Sequence, residues 1–455
     1  MKKIKAFFFK TPSRSILVIY LTFAITGSLL LYLPISNFGN VSFMDCLFTS
    51  FSSMSNTGLS TVDISNTFTN FGLIILILLM DIGGIGIFLV FLSIILFLGK
   101  KIGFKERYLL AQEQNQFSIK GIVRHIKITV IVIISIQFIA FIVFLIFLST
   151  NRSLFYFQDS SSESGGSLVL NALFMAVSLF TNSGFEIWPV IRILFEERNY
   201  FMIAFSSFLI FVGGISLIMG IGSFFDSKNL LNHNQKFVIK IMVYMHLIIW
   251  IISIPLYIIL EFNHSLSDFS VFDKIFVSIF QTINLRSGGF GILSNNNKSG
   301  GALLFEMILM FIGASPNSVA GGIRTTTLFV IVAAIFSLVK GKNQVILFKK
   351  AIKIETVHNA FIVFISSLTL VLFSTILIIF FTPNVSLDEV LYEVVSAFGT
   401  VGLSLGITKN LNIFAEIILI INMFVGRLGI SILLTSLIPK QIKSYSYTEI
   451  DLVIG

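Results

Sequence analysis

One short pattern is written four times in this chain of 455 residues, and any fold the chain adopts must accommodate it four times over. Residues 48–58, 174–184 and 392–402 each place an aromatic ten positions before a glycine and a serine (Ser52, Ser178, Ser396) six before it. A polar residue stands thirteen before it in all three (Asp45, Asn171, Glu389). The fourth copy, residues 276–289, is similar but three residues longer. Each copy is an apolar segment that ends on a small-polar and glycine turn, too short and too polar at its end to cross a hydrocarbon core of ~30 Å as a helix. Repetition on this scale implies one supersecondary unit used four times.

Eight longer apolar stretches flank the copies, near 15–33, 71–98, 126–149, 200–224, 237–260, 301–339, 357–381 and 411–437. With 55% hydrophobic and 12% charged residues the chain is not a soluble domain. The expected fold is an all-α polytopic membrane protein: four M1-P-M2 pore-loop repeats, with eight transmembrane helices and four re-entrant half-helices around one central pore. The repeats are read as residues 1–100, 101–235, 236–356 and 357–455. Residues 15–33 lack a small-residue cleavage site and continue into the first repeat, so they read as a span rather than a signal peptide.

Of the 31 lysines and arginines, 22 lie in segments 1–14, 99–127, 225–240, 340–356 and 438–455, which the positive-inside rule makes cytoplasmic together with both termini. The opposite face is assigned Arg152, Arg192, Arg198, Lys274, Arg286, Lys298 and Lys409 against thirteen carboxylates. That negative balance is either ordinary asymmetry or a funnel for cations. Cys46 is the only cysteine, so no intrachain disulfide forms, and the five histidines show no metal-ligand spacing. No nucleophile and base converge, which argues against an enzyme.

A cation entering hydrocarbon loses its hydration shell, and backbone carbonyls can replace it without burying counter-charges. The four turns suit that task, because glycine lets a strand aim its carbonyls at an axis. The candidate filter residues are Asn56, Thr57, Gly58, Asn182, Ser183, Gly184, Ser287, Gly288, Gly289, Thr400, Val401 and Gly402. Further glycines follow at Gly83-Gly84, Gly213-Gly214, Gly313 and Gly426; the first two pairs read as close helix packing. Residues 313–325 instead break a span with Gly313, Ala314, Ser315, Pro316, Asn317, Ser318, Gly321, Gly322 and Arg324, and non-helical backbone at membrane depth must be buried in protein or line a cavity. This segment is the candidate gate. Arg427 in the last span either snorkels to the interface or places its charge near the pore against that loop. Glu306 and Glu416 read as lying near the external interface; Asp81 is deeper, with an arginine or an ion as its candidate partner.

These motifs resemble the Trk/Ktr/HKT potassium-transporter family, and most its KtrB-type membrane subunit. The resemblance rests on Asn-Thr-Gly-Leu-Ser (56–60), Asn-Ser-Gly-Phe (182–185), Arg-Ser-Gly-Gly-Phe (286–290), Thr-Val-Gly-Leu-Ser (400–404), the segments 320–327 and 426–429, and the tail 447–455. It implies potassium uptake, with K+ as the transported ion and Na+ as a promoter or alternative. It further implies a gate formed by 313–325 with Arg427, a homodimer in the cytoplasmic membrane, and a separate cytosolic RCK-type, KtrA-like nucleotide-binding regulator. All four filter glycines are present, the pattern of potassium-permeable members. Gly288 stands where alanine is common, and the extra glycine is expected to loosen that wall of the filter.

Overall fold

A chain this apolar must satisfy its backbone internally wherever lipid surrounds it, and helix is the local solution. A computed structural model describes residues 12–39, 41–113, 122–151, 167–215, 233–292, 298–316, 318–342, 344–347 and 350–437. In chain order the helices of eight or more residues are α1 (Pro12–Tyr32), α2 (Phe43–Ser55), α3 (Asn70–Ile85), α4 (Ile87–Phe97), α5 (Phe104–Glu113), α6 (Ile122–Thr150), α7 (Leu168–Thr181) and α8 (Tyr200–Gly214). They continue as α9 (His233–Glu261), α10 (Val271–Asn284), α11 (Gly300–Phe311), α12 (Thr325–Val339), α13 (Ile354–Phe381), α14 (Leu387–Gly399), α15 (Ile413–Leu428) and α16 (Ile430–Leu437). A two-stranded antiparallel hairpin, β1 (Ile346–Leu347) with β2 (Lys350–Ala351), lies between α12 and α13 and departs from the all-α expectation.

Among the described residues four helices, α1, α6, α9 and α13, are long and apolar enough to cross a membrane as single rods. Their outer surfaces expose Ile131, Ile259 and Phe380 at 63%, 72% and 77%, an apolar exterior that suits lipid rather than water. The stretches expected as single spans at 71–98 and 411–437 are instead bent pairs: 103° between α3 and α4, and 94° between α15 and α16. The joints are Gly86 and Gly429, at φ +101° and +85°, where the helical hydrogen-bond ladder cannot continue. The stretch 301–339 is interrupted between α11 and α12, as its sequence predicts. In the stretch 200–224, α8 ends at Gly214, and 216–232 lie outside the described residues.

The short helices α2, α7, α10 and α14 follow serines at 42, 167, 270 and 386. Ser42 exchanges hydrogen bonds with Asp45, and the Ser386 hydroxyl donates to Glu389 at 2.8 Å, while Asn171 donates to the Ser167 carbonyl at 3.3 Å. Asp45 and Glu389, thirteen before their glycines, therefore close capping boxes at the starts of α2 and α14, whereas Asn171 lies one residue later in α7 and bonds the Ser167 carbonyl instead. Helices α3, α8, α11 and α15 pack on α7, α10, α14 and α2 respectively. That order closes a circle.

Candidate functional site

At the end of each short helix the chain turns through a left-handed residue: Asn56, Asn182 and Thr400 at φ +56°, +54° and +48°, and Ser287 at +92°. Two residues further stand Gly58, Gly184, Gly289 and Gly402, at φ +91°, +70°, +81° and +94°. Glycine is demanded here by space as well as by φ. A Cβ on Gly58 would overlap the Ser183 carbonyl oxygen, and one on Gly184 would lie 2.8 Å from the Gly289 Cα. A Cβ on Gly289 would overlap the Val401 carbonyl oxygen, and one on Gly402 the Thr57 carbonyl oxygen. Each strand thus abuts the next, and the fourth returns to the first.

Side chains pull each turn back toward its own scaffold. Ser52 Oγ accepts from the Gly58 amide at 3.1 Å, and Ser396 Oγ accepts from the Gly402 amide at 3.1 Å. Ser178 Oγ donates to the Phe185 carbonyl at 2.6 Å and accepts from Ser183 at 2.9 Å. In the longer third copy the Asn284 amide does this work, accepting from Phe290 N at 2.8 Å and donating to Phe290 O at 2.7 Å. Asn56 and Asn182 donate to the carbonyls of Met80 and Ile210, 3.0 and 3.2 Å away. Ser287 Oγ donates to Thr400 O at 2.7 Å, joining the third and fourth turns. The carbonyls of Thr57, Ser183, Gly288 and Val401, one before each ring glycine, have no hydrogen-bond donor among the described residues. The Gly288 amide donates to Asn284 O at 2.6 Å, and a Cβ there would lie 2.8 Å from the Asn284 Cα.

The segment between α11 and α12 lies against the same turns. A Cβ on Gly321 would meet Thr400 Oγ1 at 2.5 Å. Its backbone is sewn to α8, with Ser315 N donating to Gly214 O at 3.2 Å and Val319 N to Gly213 O at 3.3 Å. The Arg427 guanidinium, 9% exposed, donates to the carbonyls of Val319 and Gly83, and to Gly84 O at 2.9 Å. The glycine pairs at 83–84 and 213–214 thus pack closely and also present carbonyls to this segment and its arginine. Arg324 donates to Ala320 O and, at 3.4 Å, to Arg427 O. Asn317 lies outside the described residues; Gly313, Ala314, Ser315, Pro316, Ser318, Gly321 and Gly322 belong to the segment. A cavity of about 650 Å³ is lined by Gly83, Gly84, Ser318, Gly322, Arg324 and Arg427.

Several charges lie elsewhere than the linear sequence suggests. Arg286, assigned to the outer face, is 3% exposed and donates to His246 O and Gly313 O, each at 3.0 Å. The three extra residues of the third copy turn it inward, where it braces the start of the 313–325 segment. Lys274 is also buried and donates to Phe262 O at 3.1 Å, and the side chain of Lys298, 2% exposed, pairs with Glu306 at 2.8 Å. The three do not belong in a tally of the outer surface. Glu306 is not interfacial but fully buried, and it accepts from Tyr392, Tyr257 and Gln281 as well. Glu416 is 8% exposed. The partner of Asp81 is Gln137, at 2.6 Å, rather than an arginine.

Residues 5–446 match the TrkH family, described as cation transport protein. The chain belongs to the TrkH family of cation transport proteins. It is 34% identical over 450 residues to Ktr system potassium uptake protein D of Bacillus subtilis, covering 98% of this chain and 97% of that one. Ktr system potassium uptake protein B of the same organism is 32% identical, with 92% and 91% covered. Potassium/sodium uptake protein NtpJ of Enterococcus hirae is 26% identical, with 94% of each covered. The fold resembles the crystal structure of the potassium transporter TrkH from Vibrio parahaemolyticus, with TM-score 0.70 at 17% identity, over 93% of this chain and 84% of that one. The resemblance drawn from the motifs is borne out along the chain, and this TrkH-family member is a multi-pass membrane protein.

Proposed function

We propose that the chain takes up potassium through the ring of Gly58, Gly184, Gly289 and Gly402. The observation that carries this reading is the closed ring of backbone, in which no side chain fits and four carbonyls are left without donors. Such oxygens replace the hydration shell of a cation, and the short turns offer few stacked rings of them. The candidate residues at 56–58, 182–184, 287–289 and 400–402 form this filter, each contributed by one of four M1-P-M2 repeats with the boundaries read from sequence. The C-terminal ends of α2, α7, α10 and α14 point their negative dipole ends toward the ring and favour a cation there.

The 313–325 segment, held by Arg427 and Arg286, is the gate beneath the ring, and the cavity of about 650 Å³ is the cytoplasmic vestibule. The arginines repel a cation until the segment moves. Both termini are cytoplasmic, and an inside-negative potential drives cation influx with about 2.3 kcal/mol per charge per 100 mV. The names of the Ktr system relatives support a multi-component system, and the motif resemblance extends this to a homodimer governed by a separate cytosolic RCK-type regulator. Sodium as a second permeant or promoting ion is the alternative that the potassium/sodium uptake relative favours.

The test is rubidium and sodium uptake into proteoliposomes under an imposed inside-negative potential. Rubidium uptake competed by potassium is expected. Sodium uptake indifferent to potassium would replace this reading with the sodium one, and absence of flux with the regulator present would refute both.

A further inference from the structure

Behind the third and fourth turns lies a polar cluster that conduction does not use directly. Lys298 and Glu306 form an ion pair at 2.8 Å with side chains only 2% and 0% exposed. The Glu306 carboxylate accepts from Tyr392 OH on α14 at 2.7 Å, Tyr257 OH on α9 at 3.2 Å and Gln281 Nε2 on α10 at 3.2 Å. One buried carboxylate on α11 thereby ties together two neighbouring short helices. Its grip is aimed at the ring. Tyr392 is four residues before Ser396, on the same face of α14, and Ser396 Oγ holds the Gly402 amide. Gln281 is three residues before Asn284, on the same face of α10, and Asn284 holds Phe290 beside Gly289.

The other two copies lack this attachment. The aromatic ten before each glycine is Phe48 in the first and Phe174 in the second, so the column carries a hydroxyl only in the fourth. A phenylalanine therefore suffices for packing at this position. The hydroxyl adds a bond to a desolvated charge, which is both stronger and more exacting in geometry than a neutral one.

We propose that the Lys298–Glu306 pair, acting through Tyr392 and Gln281, is a positioning element that fixes the spacing of the third and fourth filter strands and so sets which cation is preferred. The proposal rests on the filter reading above. The residues of the cluster touch no ion; they act through Ser396 and Asn284.

The experiment compares rubidium and sodium uptake, together with the thermal unfolding midpoint, in Tyr392→Phe, in the paired substitution Lys298→Met with Glu306→Gln, and in the triple variant. Gly58→Ser serves as the control on the filter reading. Removing both charges together leaves neither buried alone. Tyr392→Phe is expected to lower the rubidium-over-sodium ratio about fivefold, the size of coupling typical within one hydrogen-bond network. The paired substitution should lower it by a similar factor, and the triple variant by no more than the pair. A purely structural role would reduce both fluxes and the midpoint together, with the ratio unchanged, and that result overturns the proposal. Failure of both Tyr392→Phe and the paired variant to yield folded protein overturns it as well. If Gly58→Ser shifts the ratio and the cluster variants do not, the positioning role alone is lost. If none of them shifts it, the filter reading falls too.

Discussion

The ring and the helix breaks near it are built on opposite plans. Around the ring four turns have nearly the same geometry: a left-handed residue, a glycine two positions later at φ between +70° and +94°, and a polar side chain holding the turn from behind. The helices that follow end in different ways. Helices α3 and α15 bend at single glycines, whereas α11 gives way to the segment that Arg427 and α8 hold in place. On the proposed reading the ring coordinates a symmetric ion, which needs equivalent ligands from every side, so each turn keeps the pattern. Blocking a path needs one obstacle, so a single repeat can diverge. On this view substitutions in the ring should act alike in all four turns, and substitutions in the breaks should not.

The largest effect expected is that of Gly402→Ala. The new Cβ would overlap Thr57 O at φ +94°, and strain of about 1–3 kcal/mol at such a backbone, with the clash added, should cut rubidium uptake by about 100-fold. Gly289→Ala, which meets Val401 O, should match it. A mild effect at one site and loss at the other would break the equivalence of the turns.

Arg427→Ala tests the asymmetric side. It removes the guanidinium donors to Val319, Gly83 and Gly84. If those contacts bias a two-state segment, rubidium leak in the absence of any regulator should rise by about tenfold, equivalent to ~1.4 kcal/mol. Arg427→Lys keeps the charge but not the forked geometry, so an intermediate leak is expected. Reduced flux in both would show that the arginine supports the pore instead of closing it.

Ser52→Ala and Ser396→Ala sharpen the comparison at smaller scale. Each removes one 3.1 Å bond to a ring glycine amide, and a loss of about 1 kcal/mol in stability is expected from each. Similar shifts in unfolding midpoint and in rubidium-over-sodium ratio would mark the two turns as equivalent. A larger loss for Ser396 would show that the fourth turn carries more of the selectivity.

What was legible in the sequence follows the same division. The ring could be read because its requirements are local and repeated: Ser52, Ser178 and Ser396 recur at fixed distance from a glycine, though only the structure shows which atoms they hold. The bends at Gly86 and Gly429 were not legible, since apolar character continues through both and hydropathy does not register a change of direction. The burial of Arg286 is not legible, because its position between a short helix and the next span resembles an outer loop, while in the structure it turns inward to His246 O and Gly313 O. The Glu306 cluster joins α9, α10, α11 and α14, and no spacing within one segment announces such a contact.

The smallest effect concerns the start of a short helix rather than its end, and it asks whether the capping serines matter as the ring serines do. Asp273, at the start of α10, accepts from Tyr200 OH at 2.6 Å and from Ser270 Oγ at 2.7 Å, with Arg198 at 3.7 Å. The Tyr200 hydroxyl first, then Ser270 and the Arg198 charge, hold its carboxyl below the ordinary value of 3.8. A carboxyl whose folded pKa is lowered contributes stability that is fully present above the unfolded value and is lost as pH falls through the folded one. The unfolding midpoint of the wild type should therefore exceed that of Asp273→Asn at neutral pH, and the gap should close only below pH 3.8. Tyr200→Phe should narrow the gap without altering the ion ratio, because Asp273 lies at the far end of α10 from Asn284. A change in the ratio would mean that the two ends of the short helix are coupled, and that the ring depends on how its helices begin as well as on how they end.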